Sequence, residues 1–212
     1  MIGILTNHWS EFLSGFWNTI VCSLIALFFS LILGVGFALL EVAPNKFGRA
    51  VAHVYIEIFR NIPLLVITMI FYLVVPQIWF KVSGFAAGTI GLTLYTSAFI
   101  AETVRAGINS VGDGQMEGAR SNGMTYMQAM YHVIIPQALN KMIPSLLSQF
   151  VSLVKDTSLA TIIVLPELLF HAQIIYNQNT TYLIPMYVII AIMYFIVCFS
   201  LSMIAKHLQS KY

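Results

Sequence analysis

Lys155 and Asp156 are neighbouring ionisable residues in an otherwise apolar stretch, and Ser145, Ser148, Gln149 and Ser152 lead up to them. The positions run i, i+3, i+4, i+7, i+10 and i+11, which puts them on one face of a helix. In a membrane segment, Ser and Gln at such positions serve as hydrogen-bonding glue between helices. A lysine and an aspartate at depth are costly, and their default reading is functional. Sequence neighbours do not face each other on a helix, so each requires a partner elsewhere. Glu102 is the candidate partner for Lys155. The chemistry on offer is ionic recognition. No nucleophile–base constellation is visible, and His53, His132, His171 and His207 have no metal-ligand spacing, so neither catalysis nor a metal site is expected in this chain.

The elements that position these residues follow from composition. The 212 residues are 59% hydrophobic and 8% charged, with a formal net charge of +2, and the mean hydropathy is +0.86. A soluble domain carries about a quarter charged residues. Runs long enough to cross a bilayer, roughly 20 residues, occur at Thr19–Ala43, Ile62–Phe80, Val82–Ala101 and Leu183–Ala205. The basic residues are scattered, which argues against nucleic acid as a partner. The first residues, MIGILTNHWSEF, lack a basic region typical of a cleaved signal. Cys22 and Cys198 lie in apolar runs and read as small buried hydrophobes. Trp9, Phe12, Leu13, Phe16 and Trp17 recur at helical spacing, which predicts a short interfacial helix over 8–18.

The reading is an all-α membrane protein of one domain, 1–212, with five spans at about 19–43, 51–80, 86–109, 138–156 and 182–207. Arg60-Asn61-Ile62-Pro63 breaks the second span, and Arg60 is expected to satisfy the carbonyls freed there. Glu167 falls in a turn-rich outer stretch and is expected to be solvated. Lys46, Arg49, Arg105, Arg120, Lys141, Lys206 and Lys211 fall on one side, against Lys81 on the other. The basic side is cytoplasmic, so the N-terminus is expected outside and the C-terminus inside.

A polar loop at 112–136 interrupts this pattern on the cytoplasmic side. Asn122-Gly123 is a helix C-cap signal, and Thr125 with Gln128 is a capping box for a second helix. Met127, Met130, Tyr131 and Ile134 give that helix an apolar stripe, and Pro136 is expected to end it. A helix–glycine–helix knob of this kind either packs on its own spans or docks a soluble partner.

The loop resembles the EAA motif of ABC importer permeases, through Glu117-Gly118-Ala119, Gly123 and Val133-Ile134-Ile135-Pro136. Gly118, Val133 and Ile135 depart from the usual residues by small or apolar exchanges. The segments 55–65, 95–108 and Ser152-Leu153-Val154-Lys155-Asp156-Thr157-Ser158-Leu159 resemble the polar amino acid branch of that family. Asn61 and Ile62 depart from its glycine and threonine. The resemblance implies the type I importer (MetI-like) fold and a membrane-spanning permease subunit in a bacterial inner membrane. It implies a second permease subunit, as homodimer or heterodimer, a dimer of ATPase subunits and an extracytoplasmic amino-acid-binding protein. Glu117, Gly118, Ala119, Gly123 and Pro136 would couple to the ATPase. A zwitterionic amino acid would find its contacts at Lys155, Asp156, Ser158 and Glu102, with carboxylate to Lys155 and ammonium to Asp156 or Glu102. The chain has no G-x-x-x-x-G-K-[ST] phosphate loop, so ATP and Mg are expected on the partner ATPase, with no cofactor here. An ion-coupled secondary transporter, an ABC permease for another small solute and a non-transporting scaffold are the alternative readings.

Overall fold

With lipid as solvent, each backbone amide must be bonded within its own segment, which favours helices as the way across. The computed structural model describes residues 7–209, and no strand occurs among them; residues 1–6 and Lys211 lie outside that range. The helices are α1 (Trp9–Val42), α2 (Lys46–Asn61), α3 (Leu64–Ile78), α4 (Gly84–Asn109), α5 (Asp113–Ser121), α6 (Tyr126–Ala129), α7 (Ile135–Asp156), α8 (Leu168–Gln178) and α9 (Leu183–Gln209). A 3-10 segment, Thr157–Ile163, follows α7. Helices α1 and α4 and the stretches Tyr126–Ile163 and Thr180–His207 are long and apolar enough to cross a bilayer, and the bent pair α2–α3 makes a possible fifth crossing.

The expected interfacial helix is not separate. α1 is one helix of 34 residues. No proline interrupts it, and Thr19 and Ser23 bond back to the carbonyls of Gly15 and Thr19 without breaking the ladder.

Between α2 and α3 the chain turns by 100°. Ile62 is extended (φ −97°, ψ 130°), as the clash with the ring of a following proline demands. Among the described residues, Arg60 makes no hydrogen bond to a carbonyl at this break; Asn61 Nδ2 donates back to Glu57 O, within α2, at 2.8 Å. Arg60 turns instead to the Glu102 carboxylate (3.4 Å) and the Phe99 ring (5.8 Å to its centroid). A guanidinium at depth gains more from a carboxylate than from a carbonyl.

Pro136 does not end a helix either. Met130–Ile134 forms a π-helical turn, and α7 continues through Pro136. The same device recurs in α3, where the π turn Ile70–Val74 precedes Pro76 at the same interval. Proline lacks an N–H and its ring clashes with the carbonyl four residues back; a wide turn just before it relieves both.

α4 is the hub, with α1, α2, α3 and α7 packed around it. At Gly34 of α1 an added Cβ would lie 2.7 Å from Ser97 O of α4, so the two backbones nearly touch. Ser30 Oγ donates to Thr93 O (3.0 Å), and the Tyr194 hydroxyl lies 3.5 Å from Thr157 Oγ1. The first pair joins α1 to α4 near the middles of the apolar runs 19–43 and 82–101 and marks the mid-depth of the bundle; the second ties α9 to the 3-10 segment that directly follows Lys155 and Asp156.

Candidate functional site

Along α7, Ser145, Ser148 and Lys155 are exposed, and Ser152 and Asp156 are partly so. The hydroxyls that bond do so within their own helix: Ser148 to Pro144 O (3.1 Å) and Ser158 to Lys155 O (2.7 Å). Ser148 is therefore not glue to a neighbouring helix, as its type suggested. The result is a polar ridge left open on one side of the bundle. Ser148, Ser152 and Lys155 line a cavity of about 320 Å³ with Ser202 and Lys206 of α9. Polar groups in hydrocarbon cost several kcal/mol each when unsatisfied, so this face cannot rest against lipid tails.

Glu102 does not serve as the partner of Lys155. It accepts from Arg105 Nη2 (2.6 Å) and Nε (3.0 Å), and Arg60 lies beyond it at 3.4 Å. Among the described residues, no carboxylate lies within ion-pair distance of Lys155. Arg105 also reaches Glu41 at 3.8 Å, and His53 lies 3.1 Å from the same carboxylate. A chain of ionic and polar contacts thus joins α1, α2 and α4, from Arg60 through Glu102 and Arg105 to Glu41 and His53. Sequence reading missed it, although Glu102 and Arg105 at i, i+3 signalled the first link. On the other side of Glu102, a cavity of about 380 Å³ includes Lys141 and Ser145 in its lining.

The loop is built by local rules. Gly123 has φ +86°, and Gly123 N–H and Met124 N–H bond Arg120 O (3.0 Å) and Ala119 O (3.3 Å). This is the Schellman pattern that closes a helix with glycine in the left-handed region. Thr125 and Gln128 cap each other at 2.8 and 3.3 Å. The knob is tied to the bundle by Tyr126 OH to Val42 O (3.0 Å) and Gln137 Nε2 to Gln115 Oε1 (3.2 Å). Ala119, Met130 and Ile134 are buried, while Glu117, Gly118 and Pro136 are exposed. One face packs on the chain's own helices and the other is free. Ala119 lies on the packed side.

Glu167 is buried, not solvated. Its carboxylate caps α8 by accepting from Leu169 N–H (2.8 Å) and Phe170 N–H (2.7 Å). It also accepts from the hydroxyls of Thr161 and Tyr194, the latter at 2.7 Å. Four donors compensate a buried carboxylate. Next to it, Thr19 of α1 accepts from Leu168 N–H at 3.2 Å. Glu167 therefore fastens the end of the bundle opposite the 112–136 loop.

The profile of the family described as "Binding-protein-dependent transport system inner membrane component" matches residues 26–212. The chain is 41% identical over 210 residues to the probable glutamine ABC transporter permease protein GlnM of Bacillus subtilis, covering 99% of this chain and 97% of that one. It is 35% identical over 205 residues to the L-cystine transport system permease protein TcyB of the same organism, covering 97% and 88%. A crystal structure of an amino acid ABC transporter with histidines superimposes with a TM-score of 0.92 at 33% identity, covering 98% of this chain and 97% of that chain. An inward-facing MetNI methionine ABC transporter shares the fold, with a TM-score of 0.75 at 21% identity over 95% and 98% of the two chains.

Proposed function

This chain belongs to the binding-protein-dependent transport system inner membrane components, and from that premise we propose how its parts divide the work of import. It is a membrane-spanning permease subunit of an ABC importer for polar amino acids, with the type I importer fold, and a multi-pass protein of the bacterial inner membrane. The family implies an ATPase partner and a second permease subunit. An ATPase dimer carrying ATP and Mg docks on the exposed face of α5, at Glu117 and Gly118. Gly123 and the buried Ala119 fix the angle of that helix. An extracytoplasmic binding protein delivers the amino acid at the opposite end. The N-terminus lies outside and the C-terminus inside.

The substrate path follows the α7 ridge. The observation that carries this reading is Lys155: a cation on the open α7 ridge, exposed, with no carboxylate of the described residues in ion-pair distance. A substrate carboxylate supplies its partner, and Asp156 takes the ammonium. Ser158, whose hydroxyl is turned to the Lys155 carbonyl, holds the backbone there. Glu102 already serves two arginines and is left as the weaker ammonium acceptor. Uptake of a panel of labelled amino acids by proteoliposomes holding the assembled importer tests the reading. Polar amino acids should compete with one another for uptake, and Lys155→Met should reduce it strongly with assembly intact.

A further inference from the structure

At the end of the bundle that carries the coupling loop, a cavity of about 700 Å³ is lined by Glu41, Lys46, Arg49, His53 and Arg105. Glu41 is engaged by His53 and Arg105, and Arg105 is shared with Glu102. Among the described residues, neither Lys46 nor Arg49 forms an ion pair. The cavity therefore has surplus positive charge. Val42 also lines a second cavity, of about 380 Å³, whose walls include Gly36, Leu39, Leu40, Tyr126, Met130 and Tyr131.

Depth decides what could fill the two. Half a hydrocarbon core is about 15 Å, or roughly ten residues of helix. Counted from the mid-depth pair Ser30 and Thr93, that reaches Leu40 on α1 and Thr103 on α4. The apolar groove is thus at the inner edge of the hydrocarbon, and the basic cavity is at the level of the headgroups. A soluble subunit cannot reach Gly36 and Leu39. We propose that the paired cavities hold one anionic phospholipid, its phosphate among Lys46, Arg49 and His53 and an acyl chain in the groove beside Gly36. Basic pockets between membrane helices recognise anionic headgroups in this way.

The test uses the assembled importer, delipidated in detergent and titrated with phosphatidylglycerol, phosphatidylcholine or glycerol phosphate, with retained ligand counted by native mass spectrometry. Phosphatidylglycerol should be retained well over phosphatidylcholine. Removing one cation near a membrane surface weakens such binding roughly fivefold, so Lys46→Gln with Arg49→Gln should weaken it by about twenty-five-fold. An added Cβ at Gly36 meets no atom within 4 Å, so the ring of Gly36→Phe should enter the groove without displacing the backbone. It should weaken phosphatidylglycerol and leave any glycerol phosphate binding unchanged. Equal retention of the two lipids, or a double variant that binds phosphatidylglycerol normally, overturns the proposal. Equal strength for glycerol phosphate and phosphatidylglycerol reduces the site to one for free phosphate esters, which also overturns it. Loss of the ATPase from the double variant with unchanged lipid retention reassigns the surface to the ATPase.

Discussion

Lys155→Met keeps most of the side-chain volume and removes the charge. Uptake is expected to fall at least tenfold, as for a lost charge-assisted contact of about 1.5–3 kcal/mol, with a normal yield of assembled complex. Loss of assembly would make Lys155 a structural residue. Glu167→Ala should act in the opposite way. It removes a helix cap and strands the hydroxyls of Thr161 and Tyr194, at a cost of about 2–4 kcal/mol. The thermal midpoint of the purified importer should drop while uptake per folded complex holds. The two residues were unequally legible. Lys155 stands out because an ammonium in an apolar run has no cheap explanation. Glu167 follows a proline in a turn-like stretch, and what buries it includes Tyr194, 27 positions away. Its burial is a property of how α8 and α9 meet, and no local pattern encodes that. Glu102 lay between: its i, i+3 partner Arg105 was in view, but Arg60 reaches it only because α2 packs on α4.

At the scale of elements, the bend in the coupling loop depends on Gly123. An added Cβ there would meet nothing within 4 Å, so the cost of substitution is backbone strain at φ +86°, about 1–2 kcal/mol for a residue with a Cβ. Gly123→Val should uncouple ATP hydrolysis from uptake, whereas Gly123→Asn should retain most transport, since asparagine tolerates the left-handed region. A cysteine at Gly118, which is exposed, should cross-link to the ATPase more readily than one at the buried Ala119. At Gly34 the constraint is space. Gly34→Leu would force α1 off α4, and it should abolish assembly. Equal expression of the wild type and Gly34→Leu as assembled complex would contradict the packing described. Local rules were readable where they act over a few residues: the glycine bend and the Thr125 capping box follow from their own sequence. Pro63 breaks the second span as its sequence suggested, whereas Pro136 misled because a π turn lets the helix pass through it. Whether a helix breaks or widens ahead of a proline is decided by what it packs against.

For the whole molecule, the surplus of Lys and Arg at the coupling-loop end predicts an inside C-terminus. A reporter fused after Tyr212 should be protected in intact cells and accessible in inverted vesicles; the reverse would mean a miscounted crossing, with the 100° break between α2 and α3 as the first place to look. The all-helical class and the run of apolar segments were legible from composition, because lipid leaves few alternatives. The open face of α7 was not, because periodicity shows that polar residues share a side but not what that side meets. The central claim is that this chain moves amino acids only when a separate ATPase drives it. The most direct measurement is uptake of a panel of labelled polar amino acids into proteoliposomes holding the permease and its ATPase, with the binding protein outside and ATP either enclosed or absent. Uptake should require enclosed ATP, ignore imposed proton and sodium gradients, and vanish with Gly123→Val. Uptake driven by an ion gradient in the absence of ATP would contradict the account.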